Sequence, residues 1–234
     1  MVEPEAALVW ARERPQPSRR APTVEQIVAR AVAIADADGL AAVTMRRVAA
    51  ELRSGTASLY RYVTNRDELL DLMVDAVQGE GDPPALTGDW RADLTAVAHR
   101  QRAAFLRHPW LSGELTGRPS LGPNSMRQMD LAHGAALELT PDATLAVNVV
   151  GTVMAYVLGS VAAELAELQA QRRTGLTEAQ WQASVGPYVR RLLDSGEYPH
   201  LARRLYEADD DIAPEERFAF GLARVLDGAA AIVR

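Results

Sequence analysis

The chain has 234 residues, 48% hydrophobic and 24% charged, with a formal net charge of −6; this balance specifies a folded globular protein and excludes a disordered one. It has no cysteine, which excludes disulfides, thiolate metal sites and thiol nucleophiles, and His99, His108, His133 and His200 lack the i, i+4 spacing of a histidine metal cluster. No uninterrupted apolar run of about 18 residues occurs and the start, Met-Val-Glu-Pro-Glu, is unlike a signal peptide, so a cytoplasmic location with no membrane partner is expected.

Residues 1–22 mix Pro4, Pro15, Pro17 and Pro22 with Arg12, Arg14, Arg19 and Arg20 and read as a flexible N-terminal arm with a short helix around Ala6 to Arg12. Thr23 to Asp38 predicts an amphipathic helix with Ile27, Val28, Ala31, Ile34 and Ala35 on one side; Thr23 and Gln26 match a capping box and Gly39 supplies the stop. Thr44 is a good N-cap for a second helix whose Val48, Ala49 and Leu52 share an apolar face, and Arg53-Ser54-Gly55 breaks it with turn chemistry. Thr56 then caps a third helix, Ala57 to Val63, with Leu59 and Val63 inward, leaving Thr56, Ala57, Ser58, Tyr60, Arg61 and Tyr62 near the outer surface. A capped helix, a three-residue turn and a second helix with small, hydroxyl and aromatic side chains is a helix-turn-helix arrangement suited to the B-DNA major groove; on spacing alone an ordinary helical hairpin is the alternative. Asn65 and Glu68 offer another capping box, opening a helix with Leu69, Leu70, Leu72, Met73, Val74 and Val77.

All 25 basic residues are arginine, and eight of them in residues 19–66 face Glu25, Asp36, Asp38 and Glu51, a local charge of +4 within an otherwise acidic chain. Phosphate attraction therefore belongs to the N-terminal part. By chemistry, Thr44 and Arg46 are placed to reach phosphates, Thr56 and Ser58 to bond base edges or phosphates at a helix N-terminus, and Ala57 to meet a thymine methyl.

Gly79-Glu80-Gly81-Asp82-Pro83-Pro84 is a composition break. Beyond it, Asp89 caps a helix to about His108, ended by Pro109; Ser112 to Asn124 reads as a loop with a short helical piece, and a helix follows from about Asn124 to Leu139. The longest segment runs from Pro141, read as a first-turn residue, to Arg173, with Gly151, Ala155, Gly159 and Ala163 on one face for close helix approach. Asn148, Glu164 and Glu167 interrupt it as a membrane span. Trp181, Tyr188, Tyr198 and Tyr206 are expected as packing residues in shorter helices broken by Gly186-Pro187, Gly196 and Pro199, before a last helix from Pro214 to Val233.

The fold class is thus all-α: a three-helix helix-turn-helix domain over 23–78 and a helical domain over 79–234. Thr44-Met45-Arg46-Arg47-Val48-Ala49, Leu52, Leu59-Tyr60-Arg61-Tyr62-Val63 and Asn65-Arg66-Asp67-Glu68-Leu69-Leu70 give residues 23–78 a strong resemblance to the tetracycline-repressor-like (TetR) family of regulators, and the remainder resembles that family's effector-binding and dimerisation half. The resemblance implies DNA contacts at Thr56, Ala57, Ser58, Tyr60 and Tyr62, with Arg66 as a phosphate clamp. Glycine often stands in the family where this chain has Arg53; either Gly55 takes over the turn or Arg53 accepts a strain of roughly 1 kcal/mol. It further implies a homodimer through the Pro141–Arg173 and Pro214–Val233 helices, and an effector cavity among the helices of residues 66–173. Polar candidates for the cavity are His99, Arg102, Gln128, His133, Asn148 and Thr152, with walls from Phe105, Trp110, Met126, Met129, Met154 and Tyr156. The implied function is a repressor released from a palindromic double-stranded DNA operator by a small-molecule effector, with no cofactor or metal. The alternatives are a ligand-independent DNA-binding dimer and an all-helical enzyme; against the enzyme, the sequence has no G-x-S-x-G and no phosphate-binding glycine loop.

Overall fold

A computed structural model describes residues 9–10, 22–115, 120–208 and 212–231, so the expectations for Arg19 and Arg20 and for the end of the last helix at Val233 lie outside the described residues. Among these there are eleven α-helices and no strand. Helix α1, Val24–Asp38, opens on the Thr23/Gln26 capping box and ends at Gly39, and a single 3₁₀ turn, Leu40–Ala42, leads to α2, Met45–Glu51, whose N-cap Thr44 accepts from the Arg47 amide. Arg53 takes the left-handed conformation at φ 51, while Gly55 is extended and serves as the N-cap of α3, Thr56–Tyr60. Of the two turn geometries open from sequence, the strain falls on Arg53.

Helix α3 is shorter than expected and begins at Thr56 instead of being capped by it. Past Tyr60 the chain makes one more turn, Arg61 keeping helical angles and both Tyr62 N and Val63 N donating to the Leu59 carbonyl at 2.9 Å. Tyr62, three residues after Leu59, lies on the same face as Leu59 and Val63, and it is buried beside them in the N-terminal core instead of lying on the outer surface. Helix α4, Arg66–Gln78, starts at Asn65, whose side chain accepts from Glu68 N; the Glu68 carboxylate reaches back to Thr64, one residue beyond the reciprocal partner of a capping box.

The second half comprises α5 (Trp90–Arg107), α6 (Leu111–Glu114), α7 (Pro123–Leu139), α8 (Ala143–Thr174), α9 (Glu178–Asp194), α10 (Pro199–Glu207) and α11 (Pro214–Ala230). Helix α8 starts two residues after Pro141 because Asp142 caps it through the Thr144 and Leu145 amides. By length and composition α8 is apolar enough to cross a membrane, but its Val149, Val153, Val157 and Val161 stripe is core, packed with α5, α7 and α11. Gly186-Pro187 does not break α9, which continues through Pro187. The expected packing aromatics are exposed within this chain: Trp181 by 52%, Tyr188 by 58%, Tyr198 by 44% and Tyr206 by 59%. Helices α9 and α10 pack on each other, and in them only Leu193 is buried, so they offer these rings no core to enter.

Candidate nucleic-acid interface and effector cavity

The helix-turn-helix presents Arg46, Ala57, Tyr60 and Arg61 to solvent, with Thr56 and Ser58 half-buried at the start of α3. Three core anchors set this face: Leu59 is fully buried, which rotates Ala57 and Tyr60 outward, and Val48 and Ala49 do the same for Arg46 on α2. Arg46, Arg53 and Arg61 form no ion pair among the described residues, whereas Arg47 is held by Asp38 and Glu51. Thr44 is exposed, its hydroxyl oxygen engaged as the α2 cap. Arg66 is exposed and donates to the Leu40 carbonyl at 3.2 Å, which ties the start of α4 to the turn after α1. Tyr62 is inaccessible in this arrangement; its ring supports the face from beneath.

The proposed pocket residues fall into three groups. Phe105 and Met129 line a cavity of about 190 Å³ between α4, α5, α7 and α8, together with Gln128 and Met154. Arg102, His99 and Tyr156 instead lock α5 to α8 and α11. Arg102, 8% exposed, binds Glu164 at 2.9 Å through both Nε and Nη2, bonds Glu215, and lies over the Phe218 ring. The hydrogen bond to Glu164 raises its pKa further. His99 contacts Glu215 and the edge of Phe218, and Tyr156 donates to the Phe218 carbonyl at 2.8 Å; burial pushes this phenol's pKa up.

The remaining candidates do not reach the cavity. Met126, Asn148 and Thr152 are exposed, the last two bonding backbone carbonyls one turn earlier in α8; His133 bonds the Met129 carbonyl. Trp110 belongs to a joint between the two halves, its indole donating to Asp36 of α1 at 2.8 Å. Sequence spacing could not separate these faces, because α7 and α8 each carry small and apolar residues on several sides.

Several lining residues were missed: Gln78, Gln101, Leu115, Ser120, Ser125 and Leu158. Their signal was weak, since glutamine and serine on a helix normally mark a solvated face. Gln101 Nε2, Ser120 Oγ and Ser125 Oγ are buried with no hydrogen-bond partner among the described residues.

Around the cavity, three polar joints fasten the helix-turn-helix half to the rest. Asp75 of α4, 3% exposed, accepts from the Asn124 and Ser125 amides at 2.9 Å and from Asn124 Nδ2 at 3.2 Å, acting as the missing cap of α7. Gly122 permits this approach, since a Cβ there would overlap the Asp75 carboxylate. Arg100 of α5 donates to the carbonyls of Gln78, Glu80 and Asp82, closing the C-terminal end of α4, and the Gln128 side-chain oxygen accepts from the same guanidinium at 3.2 Å. His108, buried, sits between Asp36 at 2.8 Å and Glu80 at 3.1 Å. Burial works to raise the Glu80 pKa, but hydrogen bonds from Arg107 and His108 outweigh it and hold it below the usual range.

Comparison with known proteins follows the same division. Residues 27–73 match the family model described as bacterial regulatory proteins, tetR family, and residues 82–233 match the one described as tetracyclin repressor-like, C-terminal domain. The HTH-type transcriptional repressor DrrR1 of Streptomyces coeruleorubidus is 43% identical over 215 residues, covering 90% of this chain and 78% of that protein. The tetracycline repressor protein class A from transposon 1721 of Escherichia coli is 29% identical over 197 residues, 82% of this chain and 83% of its own. Among solved structures, the TetR family protein ActR of Streptomyces coelicolor in complex with actinorhodin superposes with a TM-score of 0.73 at 30% identity, covering 91% of this chain and 99% of that one.

Proposed function

The chain belongs to the tetR family of bacterial regulatory proteins, and from that premise we propose that it is a cytoplasmic transcriptional repressor whose DNA binding is released by a small molecule held among α4, α5, α7 and α8. The observation that carries this reading is the position of α4. Its first residue, Arg66, bonds the turn behind the helix-turn-helix, while its last, Gln78, lines the cavity. One helix therefore touches both ends of the coupling. The relative named a repressor and the neighbour solved with actinorhodin bound support the two halves of the proposal.

DNA contacts fall to Thr44, Arg46, Thr56, Ala57, Ser58 and Tyr60, with Arg53 and Arg61 as further phosphate partners; Arg66 and Tyr62 position that face. The protein acts as a two-fold dimer through the outward sides of α8 and α11, where Gly151, Ala155, Gly159 and Ala163 are exposed in register and Phe220 is 67% exposed. Two recognition helices then read half-sites about 34–36 Å apart, and an effector that reduces occupancy 100-fold supplies about 2.7 kcal/mol of differential affinity.

The test is a titration of the purified protein against its own upstream DNA at several salt concentrations, beside the double variant Arg46→Ala with Tyr60→Ala. Wild type should bind tightly with a steep salt slope, and the folded variant should lose at least tenfold in affinity with a shallower slope. Equal binding by the variant would remove this face as the DNA-reading surface, and no preference for any duplex in a wider selection would remove the repressor reading.

A further inference from the structure

We propose that the effector is an uncharged, mainly apolar molecule bearing a hydrogen-bond acceptor, read by the Gln101 amide and the Ser120 and Ser125 hydroxyls. The inference rests on the effector reading above and narrows it to a chemical class.

The cavity wall is apolar, built by Val97, Phe105, Leu115, Met129, Val150 and Met154 among others. No carboxylate, guanidinium or imidazole lines it among the described residues, since nearby charges are consumed elsewhere. Asp75 is spent on the α7 N-terminus, Arg100 on the end of α4 and on Gln128, and Arg102 on Glu164 and Glu215. A charged ligand entering here would lose its hydration and gain no counter-ion from the described lining, a cost on the scale of several kcal/mol per charge.

The polar groups of the described lining are neutral, and three of them have no hydrogen-bond partner among the described residues: Gln101 Nε2 on α5, Ser120 Oγ, and Ser125 Oγ on α7, a residue 6% exposed. An unpaired buried donor is costly to leave unmade, so a ligand oxygen that accepts from it recovers more than the same bond would in water. A carboxamide N–H can only donate, so the complement to Gln101 is an acceptor such as a carbonyl or ether oxygen, while the serine hydroxyls accept or donate. A cavity of about 150 Å³ lined by aliphatic and aromatic groups takes up benzene, so one of about 190 Å³ here suits one or two fused rings before any expansion. Contact at Ser125 is also contact with the coupling joint, because the same residue's N–H donates to Asp75 of α4.

The experiment uses four probes on one skeleton: naphthalene, 2-acetylnaphthalene, 2-naphthoate and 2-naphthylmethylammonium. Their binding to the full-length protein is measured by calorimetry, with wild type, Gln101→Leu, Ser125→Ala and Ala132→Leu, the last adding bulk at a lining position; circular dichroism and gel filtration check that each variant is folded. The ketone should bind three- to tenfold tighter than naphthalene, and both charged probes at least tenfold weaker than the ketone. Gln101→Leu should erase the ketone's advantage while leaving naphthalene binding intact, and Ser125→Ala should reduce it. A charged probe that binds as well as the ketone, or a ketone advantage that survives Gln101→Leu, overturns the inference. Naphthalene binding that Ala132→Leu leaves unchanged, or no binding by any probe, overturns instead the assignment of the cavity as the effector site.

Discussion

Replacing Asp75 by alanine tests whether the two halves are coupled through a borrowed helix cap. Helix α7 begins at Gly122-Pro123 with no side-chain cap of its own, and the two amides that follow both donate to Asp75 Oδ1 at 2.9 Å. Alanine orphans these two amides in a nearly buried site, leaves Asn124 Nδ2 only the backbone carbonyl of residue 75, and removes an anion from a helix N-terminus. An ordinary N-cap is worth about 1 kcal/mol, the helix dipole adds about 0.3–1 kcal/mol, and hydrogen bonds to a charged group are worth about 1.5–3 kcal/mol each without being additive. A loss of about 3 kcal/mol follows, whereas Asp75→Asn, which keeps one acceptor oxygen, should lose about 1 kcal/mol. Urea denaturation at fixed protomer concentration measures both, fixed because dimerisation would otherwise enter the apparent stability. A loss below about 1 kcal/mol in Asp75→Ala, or equal losses in the two variants, would refute the view that charge and geometry at this joint hold α4 to α7.

Other outcomes follow from the same geometry. Tyr62→Ala should cost about 3 kcal/mol in thermal or urea melts, as deletion of a buried aromatic does, whereas Tyr60→Ala should leave stability within about 0.5 kcal/mol and act on DNA affinity alone. Arg53→Gly should stabilise by about 1 kcal/mol by relieving the left-handed arginine; no gain in the melting midpoint would show that the strain is compensated. Arg102→Ala strands Glu164, whose side chain is only 18% exposed, and should cost about 3 kcal/mol or more in denaturant. Glu80 has a depressed folded pKa, so its contribution is present above the unfolded carboxylate pKa of about 4.3 and is lost as pH falls through the folded value. Stability measured from pH 7 to pH 3 should therefore fall more steeply in wild type than in Glu80→Gln.

The helices were legible where a cap and a periodic stripe agree. Thr23, Thr44, Asn65, Asp89 and the Gly39 stop each speak through local chemistry, and all stand at helix ends in the structure. Reading failed where the deciding partner is distant in sequence. Nothing local says that Asp75 caps a helix some fifty positions later, or that Arg102 belongs to Glu164 and Glu215 and not to a ligand. Tyr62 is the exception, a local miss: standing three residues after Leu59, it shares the buried face with Val63, and reading only the i, i+4 pair of Leu59 and Val63 left it outside. The cavity's polar lining was missed for a related reason: Gln101 neighbours Arg102 in sequence, and only packing decides which of them faces α7 and which α11.

The energies of the three joints constrain how an effector can act. Breaking the Asp75 joint would leave a nearly buried carboxylate opposite two bare amides, at a cost comparable to or above the 2.7 kcal/mol that a 100-fold change in occupancy requires. An effector therefore gains nothing by breaking it, and α4 must move together with the first turn of α7. The Asp36 joint differs: its carboxylate is 31% exposed and water can replace the Trp110 and His108 donors, while His108 retains Glu80. That joint is the less costly of the two to open, since the Asp36 side meets water and only the His108 nitrogen that faced it stays buried. Motion that carries α4 with α7 and slips at Asp36 tilts α1 and the helix-turn-helix against the second half, and over the roughly 20 Å length of a 13-residue helix a small rotation at Gln78 becomes an ångström-scale displacement at Arg66. In a two-fold dimer such displacements change the separation of the recognition helices, which is the quantity the half-site spacing selects.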